Sequence, residues 1–237
     1  MGIPIESSPP PGWEREGIDG LLGLFPPGRL SEIVGPRSSG ASSLLLALIA
    51  RITTSGTGGQ VALVDGMDAL DPHSAGAAGA DLSALLWVRC GGRLRVALSA
   101  ADLLARCPGF ALVVLDLDDL GSIPASACIR LQRAVEGTGT TLIVRSERHR
   151  EGSPASLVLA ARRLAPQWMG LRPLTRLGGL RSEISISRSR LHPSLSPLGR
   201  GQGEGLQGEG LQGEGLGLQG EGLQGEGGWI LDWTLGQ

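Results

Sequence analysis

Gly35 and Gly40 stand five residues apart in the run Gly35, Pro36, Arg37, Ser38, Ser39, Gly40, Ala41, Ser42, Ser43. That spacing belongs to a phosphate-binding loop. In G-x-x-x-x-G-K-[ST], backbone N–H groups wrap the phosphates, the lysine reaches the β- and γ-oxygens, and the hydroxyl holds Mg²⁺. Ser42 stands at the metal-binding hydroxyl, but the lysine position is Ala41. No other lysine can replace it, because all 21 basic residues are arginines. Arg37 could reach back to a phosphate, since a guanidinium pairs well with phosphate oxygens; the alternative is a loop arginine facing solvent.

A second group that could do chemistry ends an apolar run. Phe110 to Asp116 reads as a buried parallel strand that delivers a carboxylate to the carboxyl edge of a sheet. Asp118 and Asp119 follow, either as further metal ligands or as an Asx turn. Asp116 itself is open to two readings, Mg²⁺ binding or a carboxylate that holds the loop by hydrogen bonds. The cysteines at 90, 107 and 128 are odd in number and set in apolar segments, which suits small core residues in a reducing compartment. His73, His149 and His192 are scattered, and nothing has metal-ligand spacing.

The elements that must position these groups are legible. Ser31–Val34 reads as a short buried strand and Leu44–Ile52 as an apolar helix, so the loop lies between strand and helix, where a phosphate site belongs. Strands are expected at Val61–Asp65, Leu85–Arg89, Phe110–Asp116, Thr141–Arg145 and Leu157–Ala161, with helices over Leu94–Ala105 and Ala125–Val135. This alternation argues for an α/β sandwich with a mainly parallel sheet. Glu183 to Arg188 alternates apolar and polar residues, as an edge strand with one wet face would.

At 237 residues, 41% apolar and net charge −2, the chain suits one soluble domain with a tail. Residues 1–16 form a Pro-rich leader expected to be disordered, 17–190 the core domain, and 191–228 a low-complexity linker built on Gln-Gly-Glu-Gly-Leu. One leucine per repeat buries too little to offset the entropy of ordering so much glycine. Residues 229–237, with Trp229 and Trp233, either return to the sheet as a last strand or meet a partner. Five glutamates and no base lie in 202–227, which leaves the remainder formally at +3. Positive charge is thickest at Arg172, Arg176, Arg181, Arg188, Arg190 and Arg200, a surface strip or a phosphate-facing one. The N-terminus lacks a basic start and an apolar signal core, and no apolar run approaches the ~18 residues of a membrane span. The cytoplasm is the expected location.

Together, Gly28-Arg29, Glu32 to Gly40, Asp65, Ala69 to Pro72 and the aspartate-ended strand at Asp116 resemble the core of the RecA recombinase family over roughly Gly17 to Arg190. The chain looks closest in character to RecA-like accessory proteins of the ImuA type, which work beside an error-prone polymerase in damage tolerance and are related to a cell-division inhibitor. The resemblance implies a RecA-like three-layer sandwich around a P-loop, with ATP and Mg²⁺ as the family's cofactors. It places Ser42 and Asp116 at the metal and Asp71 near the adenine. It also shows losses. The catalytic glutamate falls on Met67, read here as a core-filling side chain; the stacking tyrosine falls on Ser74; the amide sensor falls on Arg145 or Ser146. The DNA-binding loops are shortened.

Losing the lysine weakens nucleotide binding by roughly 10- to 100-fold, and losing a general base costs a further ~10²–10⁴ in rate. The expectation is a protein that does not turn over ATP, with nucleotide either retained without turnover or absent. Three functions follow from the resemblance: a non-catalytic accessory scaffold in translesion DNA repair and the SOS response, an ATP- and single-strand-binding recombinase, or a cell-division regulator. The expected partner is a repair protein or an error-prone polymerase, with DNA contact through Arg172, Arg176, Arg181, Arg188 and Arg190 as an option.

Overall fold

The computed structural model describes residues 20–54, 59–118, 120–121, 123–149, 152–170, 175–190 and 228–234. The leader, residues 191–227, Asp119, Arg172 and Arg200 lie outside the described residues.

Apolar strands without alternation need cover on both faces, and this sheet has it. Val61 and Leu63 of β2 (Gln60–Asp65), Leu112 and Val114 of β4 (Phe110–Asp116) and Ile143 of β5 (Thr141–Ser146) enter one core. Their neighbours one residue on, Ala62, Val64, Val113, Leu115, Leu142 and Val144, enter the other. Helix α1 (Ala41–Thr53) covers the first core with Leu44, Leu48 and Ile49, all fully buried. Each such side chain stabilises by ~1.5–3 kcal/mol. Helices α3 (Leu94–Arg106) and α4 (Ala125–Val135) cover the second core. A short helix, α2 (Pro72–Ala77), follows β2.

The sheet has eight strands in the order β3-β2-β4-β5-β1-β6-β7-β8. From β3 (Leu85–Arg89) through β1 (Leu30–Val34) to β6 (Leu157–Met169) every neighbour is parallel. β7 (Arg176–Ser189) and β8 (Gly228–Thr234) are antiparallel. The three-layer, mainly parallel architecture expected from the sequence is the one observed. Among the described residues no helix is long and apolar enough to cross a membrane.

The last three strands differ from expectation. Glu183 to Arg188 is an edge only in part: it lies in β7, which pairs with β6 on one side, while β8 covers the other side as far as Ser185 and leaves 186–188 without a β8 partner. The C-terminal segment takes the strand alternative, with Gly228–Thr234 opposite Gly179–Ser185. β6 runs on to Met169, well past the expected end at Ala161. Arg162, Arg163 and Pro166 break the apolar signal there, and among the described residues only β7 pairs with that extension, through a ladder with register shifts near Leu164 and Trp168.

Candidate nucleotide site

Parallel register aligns the carboxyl ends of the central strands. Asp65 lies beside Asp116, Asp116 beside Arg145, and Arg145 beside Ile33. The Gly35–Ser43 loop leaves β1 at the next residues. Gly35 donates its N–H to the Ser146 carbonyl at 3.1 Å. A Cβ there would press into the Ser39 hydroxyl and lie 2.9 Å from the Ala161 carbonyl, so only glycine fits. Gly40 caps α1 at φ 93°, a left-handed conformation natural to glycine, and Leu44 N–H bonds back to its carbonyl at 2.9 Å. The loop is therefore formed as the sequence requires. Pro36, Arg37, Ser38 and Ser42 are exposed, and Ser43 is half-buried.

Its chemistry has been rewired. Ala41 is 1% exposed and packs in the α1 core. Its N–H donates to the buried Ser39 hydroxyl at 3.3 Å. Arg145, whose side chain is 6% exposed, places Nη1 2.9 Å from Asp116 Oδ1 and 3.0 Å from Asp118 Oδ1. Asp116 Oδ1 also accepts the Asp118 N–H at 3.2 Å, so Asp116 closes the turn and Asp118 supplies a second carboxylate to the arginine. Arg37 bridges the mouth of the loop to Glu147 at 3.2 Å and Asp118 at 3.6 Å. Arg37 is thus paired, although two-thirds exposed. Burial pushes the Asp116 carboxyl above its ordinary value, with the charge and hydrogen bond of Arg145 pulling the other way. Arg145 is shifted upward by its two carboxylates against its own burial.

The second half of the motif builds a loop. Asp65, 2% exposed, accepts N–H bonds from Met67 (3.2 Å), Ala69 (3.0 Å), Leu70 (2.8 Å) and the Trp87 indole (3.1 Å). Asp71 caps α2 by accepting from His73 and Ser74 N–H, and the Ser74 hydroxyl first, then its N–H, lowers the Asp71 carboxyl. Met67 corrects the expectation of a core-filling side chain. At 43% exposed it stands outside the core, because Gly66 turns the chain out of β2 with its N–H on the Asp116 carbonyl.

Two charged groups went unread in the sequence. The resemblance puts the sensor at Arg145 or Ser146 and gives no sign that Arg145 pairs with Asp116. The signal was an apolar strand ending in arginine beside a parallel one ending in aspartate. Glu32 interrupts the apolar β1 and is 1% exposed; it accepts from the Ser153 hydroxyl and lies 3.1 Å from His149 Nδ1. It ties His149 and Ser153 to the first strand. Of the arginine strip, Arg188 turns inward to the Ser153 and Ala155 carbonyls at 2.9 and 3.3 Å. Arg176, Arg181 and Arg190 are exposed.

The residues present do not fit Mg²⁺. A cation beside Asp116 would meet the fixed Arg145 charge at a cost of roughly 4 kcal/mol per unit charge at ~4 Å and an effective dielectric of ~20. Among the described residues no cluster of three His, Cys, Asp or Glu side chains could hold an ion on protein ligands alone, without the phosphates that share Mg²⁺ in such a loop. Phosphate would find the loop's shape without its lysine.

Residues 16–127, which contain the loop, Asp65, Asp71 and Asp116, match the RecA N-terminal domain family. Over these residues the core is similar to that family. Protein RecA of Borrelia duttonii (strain Ly) is 41% identical over 95 residues, covering 40% of this chain and 25% of that protein. Protein RecA of Synechococcus sp. (strain CC9902) is 42% identical over 96 residues, again covering 40% and 25%. The match therefore spans about a quarter of the length of the curated relatives. The crystal structure of the RadB recombinase superposes with a TM-score of 0.53 at 20% identity, covering 74% of this chain and 88% of that one. That likeness is one of fold.

Proposed function

We propose that this RecA-like chain is a non-catalytic accessory protein of translesion DNA repair, of the ImuA type. It would act in the cytoplasm as a scaffold for a repair protein or error-prone polymerase. The observation that carries the reading is Arg145 seated on Asp116 at 2.9 Å. An internal guanidinium takes the place where an ATP-hydrolysing relative needs a metal, and Ala41 removes the phosphate-binding charge. What remains is a rigid α/β body whose nucleotide machinery has become ion pairs and loop caps. An ordinary ATP-driven recombinase needs both missing charges, so that reading has less support. DNA contact through Arg176, Arg181 and Arg190 is compatible with a scaffold and needs no nucleotide.

The test is the thermal unfolding midpoint with and without millimolar Mg²⁺–ATP. It is measured for the natural chain, Ala41→Lys, and Ala41→Lys with Arg145→Ser. A ligand at 100 times its Kd stabilises by ~2.7 kcal/mol, a shift of roughly 5–11 °C for a chain of this size. No shift is expected in the natural chain, and the largest in the double variant. A shift of that size in the natural chain would overturn the reading.

A further inference from the structure

A polar pocket lies at the opposite end of β1 from the phosphate loop. It is a cavity of about 440 Å³ at the amino edge of the sheet, lined by Arg29, Gln132, Glu136, Pro154, Ser156 and Arg190. Arg29 precedes β1 and Gly35 follows it, so pocket and loop are about 20 Å apart at ~3.3 Å per residue. The volume is that of a small-molecule site, ~300–1,000 Å³.

Three strand ends and one helix build it. Buried Gln132 of α4 accepts the Leu30 N–H at 3.0 Å on its side-chain carbonyl, which ties the helix to the start of β1. Ser156 donates its N–H to the Leu30 carbonyl and Arg190 donates its own to the Ser156 carbonyl, both at 2.8 Å. A bulge orients the arginine end of β7. Leu159 pairs with Ile186 but Val158 pairs with Arg188, so Ser187 is the extra residue. Arg188 thereby shares a face with Val158, on the side of the sheet that α4 covers, and Arg190 follows two residues on.

The pocket keeps its acid off its bases. Gln132 Nε2 donates to Glu136 Oε1 at 3.2 Å, and neither Arg29 nor Arg190 pairs with a carboxylate among the described residues. The end of α4 does not need the arginines as caps: the Gln132 carbonyl takes the Glu136 N–H, and the Val135 carbonyl takes the N–H and hydroxyl of Thr138. Arg188 adds positive charge beside them. Burial first, then the Arg190 charge, pushes the Arg188 guanidinium below its ordinary value, against the pull of Glu32. Its buried Nε has no hydrogen-bond partner among the described residues. Like charges gathered in this way are relieved by an anion between them.

Chemistry narrows the ligand. A guanidinium fork matches phosphate and carboxylate oxygens alike. A phosphate monoester carries close to two negative charges near neutral pH, which matches two arginines better than one carboxylate does. The Glu136 oxygen that Gln132 does not hold can accept from a hydroxyl of the same molecule, whereas it only repels bare phosphate. A nucleic-acid strand suits the pocket less, because the lining has no aromatic residue on which a base could stack.

We infer that the pocket between Arg29 and Arg190 binds a phosphate monoester of a small hydroxylated molecule, its phosphate on the two arginines and a hydroxyl on Glu136. The inference goes beyond the scaffold reading and does not rest on it.

Glycerol 3-phosphate, inorganic phosphate and oligo-dT are titrated at constant ionic strength against the ¹⁵N-labelled full chain and followed by amide NMR. Glycerol 3-phosphate should saturate, move the Leu30, Ser156 and Arg190 amides rather than those of Gly35–Ser43, and bind more tightly than inorganic phosphate. Arg29→Gln and Arg190→Gln should each weaken it by at least about 10-fold, the loss of a charge-assisted hydrogen bond. Glu136→Ala should narrow the gap between the two small probes. Both arginines are exposed, so their variants should keep the natural unfolding midpoint. The inference is overturned by the absence of saturable shifts up to ~10 mM, where a millimolar site would be nearly filled, or by shifts centred on Gly35–Ser43. Affinity that the arginine substitutions leave unchanged overturns it too, as does inorganic phosphate binding as tightly as the ester. So does oligo-dT binding that needs both arginines and that glycerol 3-phosphate fails to displace.

Discussion

Arg145 and Asp116 meet at 2.9 Å because β4 and β5 run in parallel register with these two residues side by side at their carboxyl ends. The pair inverts the electrostatics of the crevice. A phosphate-binding α/β protein keeps its strand-end carboxylate free to organise a cation; here the cation is covalently part of the sheet. Asp118 and Arg37 extend the pairing across the loop mouth to Glu147, so charges around the loop are matched internally.

Arg145→Met should destabilise the chain by about 2–4 kcal/mol, since removing one partner strands the other buried charge. Adding Asp116→Asn should recover part of that loss, which urea unfolding of the single and double variants would measure. Strict additivity of the two substitutions would mean that the pair is not energetically coupled.

The pH dependence has a definite sign. A carboxyl raised by burial binds its proton more tightly when folded. Its contribution is therefore fully present below the unfolded value, 3.8, and is lost as pH rises through the raised folded value. Asp116→Asn should gain stability relative to the natural chain as pH rises from about 3.8 toward neutrality. If the natural chain instead gains on the variant, attraction to Arg145 outweighs burial.

Much of this was legible in the sequence, for identifiable reasons. The central parallel strands were visible because a strand covered on both faces is a continuous apolar run, as in Phe110–Asp116. The loop was visible because Gly35 and Gly40 each meet a steric demand. What was hidden depended on pairing between distant segments. Arg145 gives no local sign of which carboxylate it will meet, and Glu183–Ser185 looks like part of an edge until Gly228–Thr234 arrives beside it. The far half of β6 was hidden because Arg162, Arg163 and Pro166 follow neither strand nor helix period.

Met67→Glu restores the residue type expected of a hydrolytic site and should change little. The side chain is 43% exposed, so stability should move by no more than about 0.5 kcal/mol. On the scaffold reading proposed above this variant should not turn over ATP, because Arg145 and Ala41 are unchanged. Phosphate release above background from this single variant would show that the metal position is still usable.

Asp65→Asn probes the motif's second half, where the same residues admit a nucleotide-side or an architectural role. The Asp65 carboxylate is buried and accepts four N–H groups, three from the backbone between Met67 and Leu70 and one from Trp87. Asparagine keeps the shape but turns one acceptor into a donor facing donors, and it removes the charge that strengthens every bond. Hydrogen bonds to a charged acceptor contribute ~1.5–3 kcal/mol and an unsatisfied buried donor costs ~1–3 kcal/mol, so the loss should reach about 2–4 kcal/mol. Trp87 fluorescence should shift as its indole loses a charged acceptor, and amide exchange should accelerate first at Ala69 and Leu70. A variant as stable as the natural chain would show that the Asp65 carboxylate does not hold the 67–70 loop.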